Sequence, residues 1–134
     1  MPPSSGGAFE AVAASLRAAE LRRDLTVDEI SAPAGVAPQA IAFAGDVHPP
    51  GHGIDSQLGT GRFILLHDPA SPEGWDGEFR IVVYAQAPLE RDIGSDPLLP
   101  EVAWSWLQSA LDDLGAPRHA MSGTATTVLS TGFG

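Results

Sequence analysis

Two β-type runs separated by turn residues constrain this chain more than any other feature. They are Arg62-Phe63-Ile64-Leu65-Leu66-His67 and Phe79-Arg80-Ile81-Val82-Val83-Tyr84-Ala85. Asp68-Pro69 and Asp76-Gly77 lie between them and favour chain reversal, so the runs are expected to form an antiparallel hairpin. Strand side chains alternate between faces. Phe63, Leu65 and His67 share one parity, as do Phe79, Ile81 and Val83; the complementary set holds Ile64 and Leu66 with Val82 and Tyr84. Both faces are therefore largely apolar, unlike a sheet with one face in water, and something must cover each side.

The flanking segments supply part of that cover. Phe9, Val12, Ala13, Leu16 and Ala19 recur at helical spacing, which predicts a helix from about Ala8 to Arg23 after a flexible tail over residues 1–7. Residues 25–40 are ambiguous, with a short strand expected over Leu25–Ile30 before a segment punctuated by Pro33, Gly35 and Pro38. Ile41, Phe43 and Val47 fall on one parity and predict a strand over about Ala40–Val47. Pro49, Pro50 and Gly51 then break any regular structure in the His48–Gly53 loop. A second helix is expected from Pro100 to a stop at Gly115, with Ala103, Trp106, Leu107, Ala110, Leu111 and Leu114 as its apolar arc. Thr124–Ser130 reads as a strand by propensity. It ends the chain abruptly, which fits either an edge strand or a natural chain that continues further.

At 134 residues the expected organisation is a single α+β domain over 8–134, with an antiparallel sheet of about four to five strands and two main helices packed on one face. The composition narrows function mainly by exclusion. The net charge of −10, with no lysine, opposes a nucleic-acid phosphate backbone and an anionic membrane surface. With no cysteine, the chain can form neither disulfides nor thiolate metal sites, and it has no thiol nucleophile. No apolar run approaches membrane-spanning length, and the first residues lack the pattern of a signal peptide, so the expected location is the cytoplasm.

Several segments taken together carry a resemblance: Phe9–Ala14, Gly61–Pro69, Gly74–Arg80, Asp96–Leu107 and Gly115-Ala116-Pro117. They resemble an actinobacterial family catalogued as a domain of unknown function, number three thousand. The resemblance covers most of the chain and implies no activity, since none is assigned to the family. It also implies longer members that continue into a further strand, so the natural C-terminal end is expected beyond Gly134. Where the family commonly has a short acidic turn, this chain has the His48–His52 loop.

Candidate chemistry is sparse. His48 and His52, with Asp55 as a possible third ligand, have a spacing that would converge only on a helix, and the prolines forbid one; no metal site and no cofactor are expected. His67 and Asp68 could serve as a base with an orienting carboxylate, but adjacent strand residues point to opposite faces. Gly59-Thr60-Gly61 leads into a strand and lacks the helix N-terminus of a phosphate cradle. Asp112 and Asp113 sit on a solvated helix face. Trp75, Trp104 and Trp106 are large and need a partner for the indole N–H, which suits boundaries and interfaces.

Two function classes remain. The first is a non-catalytic interaction module, adaptor-like or chaperone-like, presenting an apolar sheet face to a protein partner or a second copy. Its contact candidates are Ile64, Leu66, Trp75, Val82, Tyr84 and Trp104. The order of elements is similar to that of small dimeric secretion chaperones, an analogy of fold alone. The second is a small enzyme or ligand-binding domain with Arg62, His67, Asp68 and Arg80 around the hairpin.

Overall fold

The computed structural model describes residues 5–48, 59–89, 91–129 and 131–134. The chain falls into two compact units, Met1–Pro88 and Leu89–Gly134.

The first unit opens with helix α1, Ser5–Arg17. It starts earlier than the periodicity suggests, within the stretch read as a tail, and it stops a full turn or more before Arg23. The apolar stripe explains the early stop. Phe9, Val12, Ala13 and Leu16 lie one above another on the face that meets the sheet, while Ala18, Ala19 and Leu21 beyond them are exposed. With those side chains exposed, little burial remains to extend the helix, and helical propensity alone does not.

Four strands follow as an antiparallel meander in the order β1-β2-β3-β4: β1 Leu25–Ile30, β2 Gln39–Val47, β3 Gly59–His67 and β4 Phe79–Gln86. The ambiguous Leu25–Ile30 segment is thus a strand, pairing Leu25 with Val47 and Ile30 with Ala42. The hairpin is as expected, with Phe63 opposite Val83, Ile64 opposite Val82 and Leu65 opposite Ile81. Its loop is closed by the Asp68 N–H donating to the Glu78 carbonyl and by the Asp68 side chain accepting from the Ala70 N–H, each at 2.9 Å. Left-handed backbone at Ser71, Gly74 and Asp76 completes the reversal.

The register sorts the side chains into two faces. On the α1 side lie Ile41 and Phe43 of β2, Phe63, Leu65 and His67 of β3, and Phe79, Ile81 and Val83 of β4. Phe9 and Ala13 press onto Ile41 and Leu65, with Val12, Leu16, Phe43, Phe63 and Phe79 packed around them. Full burial of each large side chain here stabilises by about 1.5–3 kcal/mol. The reverse face carries a row of small residues on β2 (Ala40, Ala42 and Ala44), then Arg62, Ile64 and Leu66 on β3, and Arg80, Val82 and Tyr84 on β4.

The second unit contains a short helix α2, Arg91–Gly94, and helix α3, Leu99–Asp113. Before α3, the Asp96 carboxylate accepts from the Leu98 N–H at 2.9 Å, and Pro100 sits in the first turn, where its missing N–H costs nothing. The helix stops where the sequence predicts. Gly115 adopts φ +64°, its N–H donates to the Asp112 carbonyl, and the Ala116 N–H donates to Leu111, which is the paired arrangement of a Schellman cap.

The returning strand over Thr124–Ser130 is not found: residues 121–129 carry neither helix nor strand. The segment that leads to it instead runs back along α3. Arg118 bridges Asp112 at 2.7 Å and donates to the Gln108 side chain at 2.6 Å, while the Gln108 amide reaches the Met121 sulfur at 3.3 Å. β-propensity measures fit to a neighbouring strand, and a segment tied to a helix has none.

Candidate interaction face and buried histidine

The reverse face of the hairpin gathers residues that parity alone had hinted at. Arg62 stands directly opposite Tyr84, Ile64 opposite Val82, and Leu66 opposite Arg80. The two arginine positions therefore mark the ends of one ladder, about 13 Å apart along the strands, with Ile64 and Val82 between them and Tyr84 beside Arg62. Tyr84 is 57% exposed, Val82 is also exposed and Ile64 half-buried; Leu66 is buried and belongs to the packing rather than the surface. The Tyr84 hydroxyl donates to the Gln86 side chain at 3.0 Å.

Arg17 is held by Glu29, Arg22 by Asp24 and Arg118 by Asp112. Among the described residues, Arg23, Arg62 and Arg80 form no ion pair although all three are exposed, and two of the three lie on this face. Arginine and tyrosine around a small aliphatic centre is the composition that interface contact points favour. The signal was available in the sequence, because Arg62 shares the parity of Ile64, and Arg80 that of Val82 and Tyr84. It is weak without the register that sets the strands side by side.

The other two ligand candidates lie elsewhere. His67 points to the α1 side and is 0% exposed. Its ring stacks on Phe9 of α1 at a centroid separation of 6.1 Å and tilts against Phe79 at 4.5 Å. Nδ1 shares a 2.7 Å hydrogen bond with Gln39 Oε1, made possible because Gln39 is its direct cross-strand neighbour. Nε2 is buried without a hydrogen-bond partner, 4.0 Å from a Glu78 carboxylate oxygen. A histidine walled in by two phenylalanines has no route to a dissolved substrate. Asp68 is committed to the turn through Ala70. Arg62, His67, Asp68 and Arg80 thus do not converge on one point.

The remaining candidates are distributed. Trp75 is half-buried in the hairpin loop, where its backbone N–H donates to the Pro72 carbonyl at 3.1 Å. Trp104 is partly exposed on α3, with its ring edge so close to Gly123 that a Cβ added there would lie 2.7 Å away. Trp106 is exposed on α3. The His48 backbone N–H closes the β1–β2 end on the Asp24 carbonyl at 2.7 Å; His52 and Asp55 lie outside the described residues. Among the described residues, no three His, Asp or Glu side chains gather as a metal site, and no helix is long and apolar enough to cross a membrane.

A depression of about 250 Å³ opens where α1 meets β1, lined by Leu16, Arg17, Leu21, Val27, Glu29 and Phe43 among others. Its rim is the bidentate Arg17–Glu29 pair, at 2.7 and 3.2 Å. The hydrogen bond from Arg17 holds the Glu29 carboxyl below its ordinary range and raises the guanidinium in turn. Both groups are solvent-exposed, and the pair serves to fasten the end of α1 to the sheet.

Residues 5–134 match the family described as "Protein of unknown function (DUF3000)". No curated protein and no solved structure matches the chain.

Proposed function

The chain belongs to the DUF3000 family, and from that premise we propose that it is a non-catalytic protein-interaction module, adaptor-like or chaperone-like. One observation carries the reading. Arg62, beside Tyr84, and Arg80 stand exposed and without an ion pair at the two ends of a ladder whose centre is Ile64 and Val82. Aliphatic and aromatic area left in water is unfavourable for a lone domain and productive at a contact, where it is buried and the neighbouring arginines find acceptors. The occupant is a protein surface or a second copy of the chain. The net charge of −10 disfavours nucleic acid and anionic membrane, and it suits a cytoplasmic protein that must stay dispersed. The lysine-free, alanine- and proline-rich composition is that of a high-GC coding sequence and supports an actinobacterial source.

Site-specific photo-crosslinking tests the reading. A photoreactive residue at Tyr84 is expected to capture a defined protein, its own copy included, in the native host. One placed at exposed Glu10 on the outer side of α1 is expected not to. Loss of that product in an Arg62→Ser, Val82→Ser double variant that still folds supports the face. Equal capture from both positions, or a product untouched by the double variant, refutes it.

A further inference from the structure

Resting on that interaction reading, the geometry points to a specific mode for it: two copies of the chain pair antiparallel along the free edge of β4, with Val82 opposite Val82 of the other copy.

Backbone hydrogen bonding decides which groups the edge offers. The Asp68 N–H donates to the Glu78 carbonyl, so Asp68 and Glu78 form a hydrogen-bonded pair. Such pairs alternate along an antiparallel ladder. Within the β3–β4 register, Arg80, Val82, Tyr84 and Gln86 therefore turn their N–H and C=O groups toward β3. Phe79, Ile81, Val83 and Ala85 turn theirs outward. β4 is the last strand of the sheet, and among the described residues these outward groups have no backbone partner.

An open edge is normally blunted by charge, proline or a very short strand. β1, at the opposite edge, is short and carries Asp28 and Glu29. β4 has eight residues, no proline, no carboxylate and a single charge, Arg80. It is also apolar to both sides: Ile81 and Val83 are 58% and 65% exposed toward the α1 side, and Val82 and Tyr84 are exposed on the reverse face.

Self-complementarity favours a second copy as the occupant and sets the alignment. Phe79–Gln86 carries no carboxylate, so two chains of −10 can meet there without opposing like charges within the strand. A two-fold axis through Val82 pairs Ile81 with Val83 and Phe79 with Ala85 of the other copy, using every outward-facing residue of β4. It also sets Arg80 opposite Tyr84 of the other copy, a cation over an aromatic ring, rather than opposite a second arginine. Centring on Val83 leaves Phe79 unmatched within the strand and loses that contact. The product is one continuous sheet with α1 of both copies on the same side.

The absence of cysteine from the full chain makes the test clean. Directly opposed residues at a non-hydrogen-bonded antiparallel position lie at disulfide distance. Val82→Cys is therefore expected to form an intermolecular disulfide under mild oxidation, whereas Ile64→Cys, on the same face but on the inner strand, is expected not to. Val83→Pro removes one outward N–H and no bond to β3, and is expected to raise the dimer dissociation constant at least tenfold in sedimentation equilibrium, with circular dichroism unchanged. If that variant fails to fold, the cysteine pair remains the deciding readout. A monomeric wild-type chain at about 100 μM, or equal cross-linking of the two cysteine variants, overturns edge pairing. A dimer weakened by Tyr84→Ser but untouched by Val83→Pro overturns it too, and leaves the interaction face standing.

Discussion

Truncating Leu65 to alanine tests where the core of the first unit lies. Leu65 is 3% exposed, flanked in the sheet by Ile41 and Ile81 and covered by Phe9 and Ala13 of α1. Leu65→Ala removes buried carbon and leaves a void that a helix lying across a sheet cannot close by local movement. Transfer and cavity terms together place the loss at about 3 kcal/mol, within the 2–5 kcal/mol span of such truncations. Leu21→Ala is the same chemical change at a residue 53% exposed on the loop after α1, with an expected loss of about 1 kcal/mol or less. Urea unfolding followed by far-ultraviolet circular dichroism measures both, and an unchanged m-value keeps the comparison one of stability. For a unit of 88 residues, the Leu65 variant should melt about 12–20 °C lower. A loss below about 1 kcal/mol for Leu65→Ala, or equal losses for the two variants, refutes the packing described.

Two further outcomes follow from local geometry. The folded state holds the Glu29 carboxyl below its unfolded value through the bond from Arg17, so the folded protein binds fewer protons there. That stabilisation is complete above the unfolded value, near pH 4.3, and fades as pH falls through the lower folded value. Glu29→Gln should flatten the acid limb of the urea midpoint measured against pH, with little effect at neutrality, and added salt should shrink the difference. In the second unit, Gly115 sits at φ +64° with open space where a Cβ would go, so its role is conformational alone. Gly115→Ala should destabilise α3 by about 1 kcal/mol, read as a lower melting temperature, and no change would count against the cap.

Much of this architecture is written in local pattern. The parity of residues 62–67 and 79–85 specified the hairpin and both of its faces, since a one-residue slip would turn every side chain over. Asp68-Pro69 and Asp76-Gly77 marked its loop, and Pro100 and Gly115 marked the ends of α3, because proline and glycine act through their own backbone. Length-dependent features were not legible in the same way. The end of α1 depends on where the sheet stops beneath it, and Thr124–Ser130 has strand propensity but no strand to join.

The sequence by itself therefore determined an antiparallel hairpin with apolar residues on both sides, flanked by helices. Only the tertiary structure decided which of those side chains are buried and which stand exposed. It buried His67 between Phe9 and Phe79, spent Asp68 on a turn, and set Arg62 and Arg80 along one exposed ladder with Tyr84. The physical reason is that side-chain parity is local, whereas partnership between strands, and the free edge left at β4, exist only once distant segments share a register.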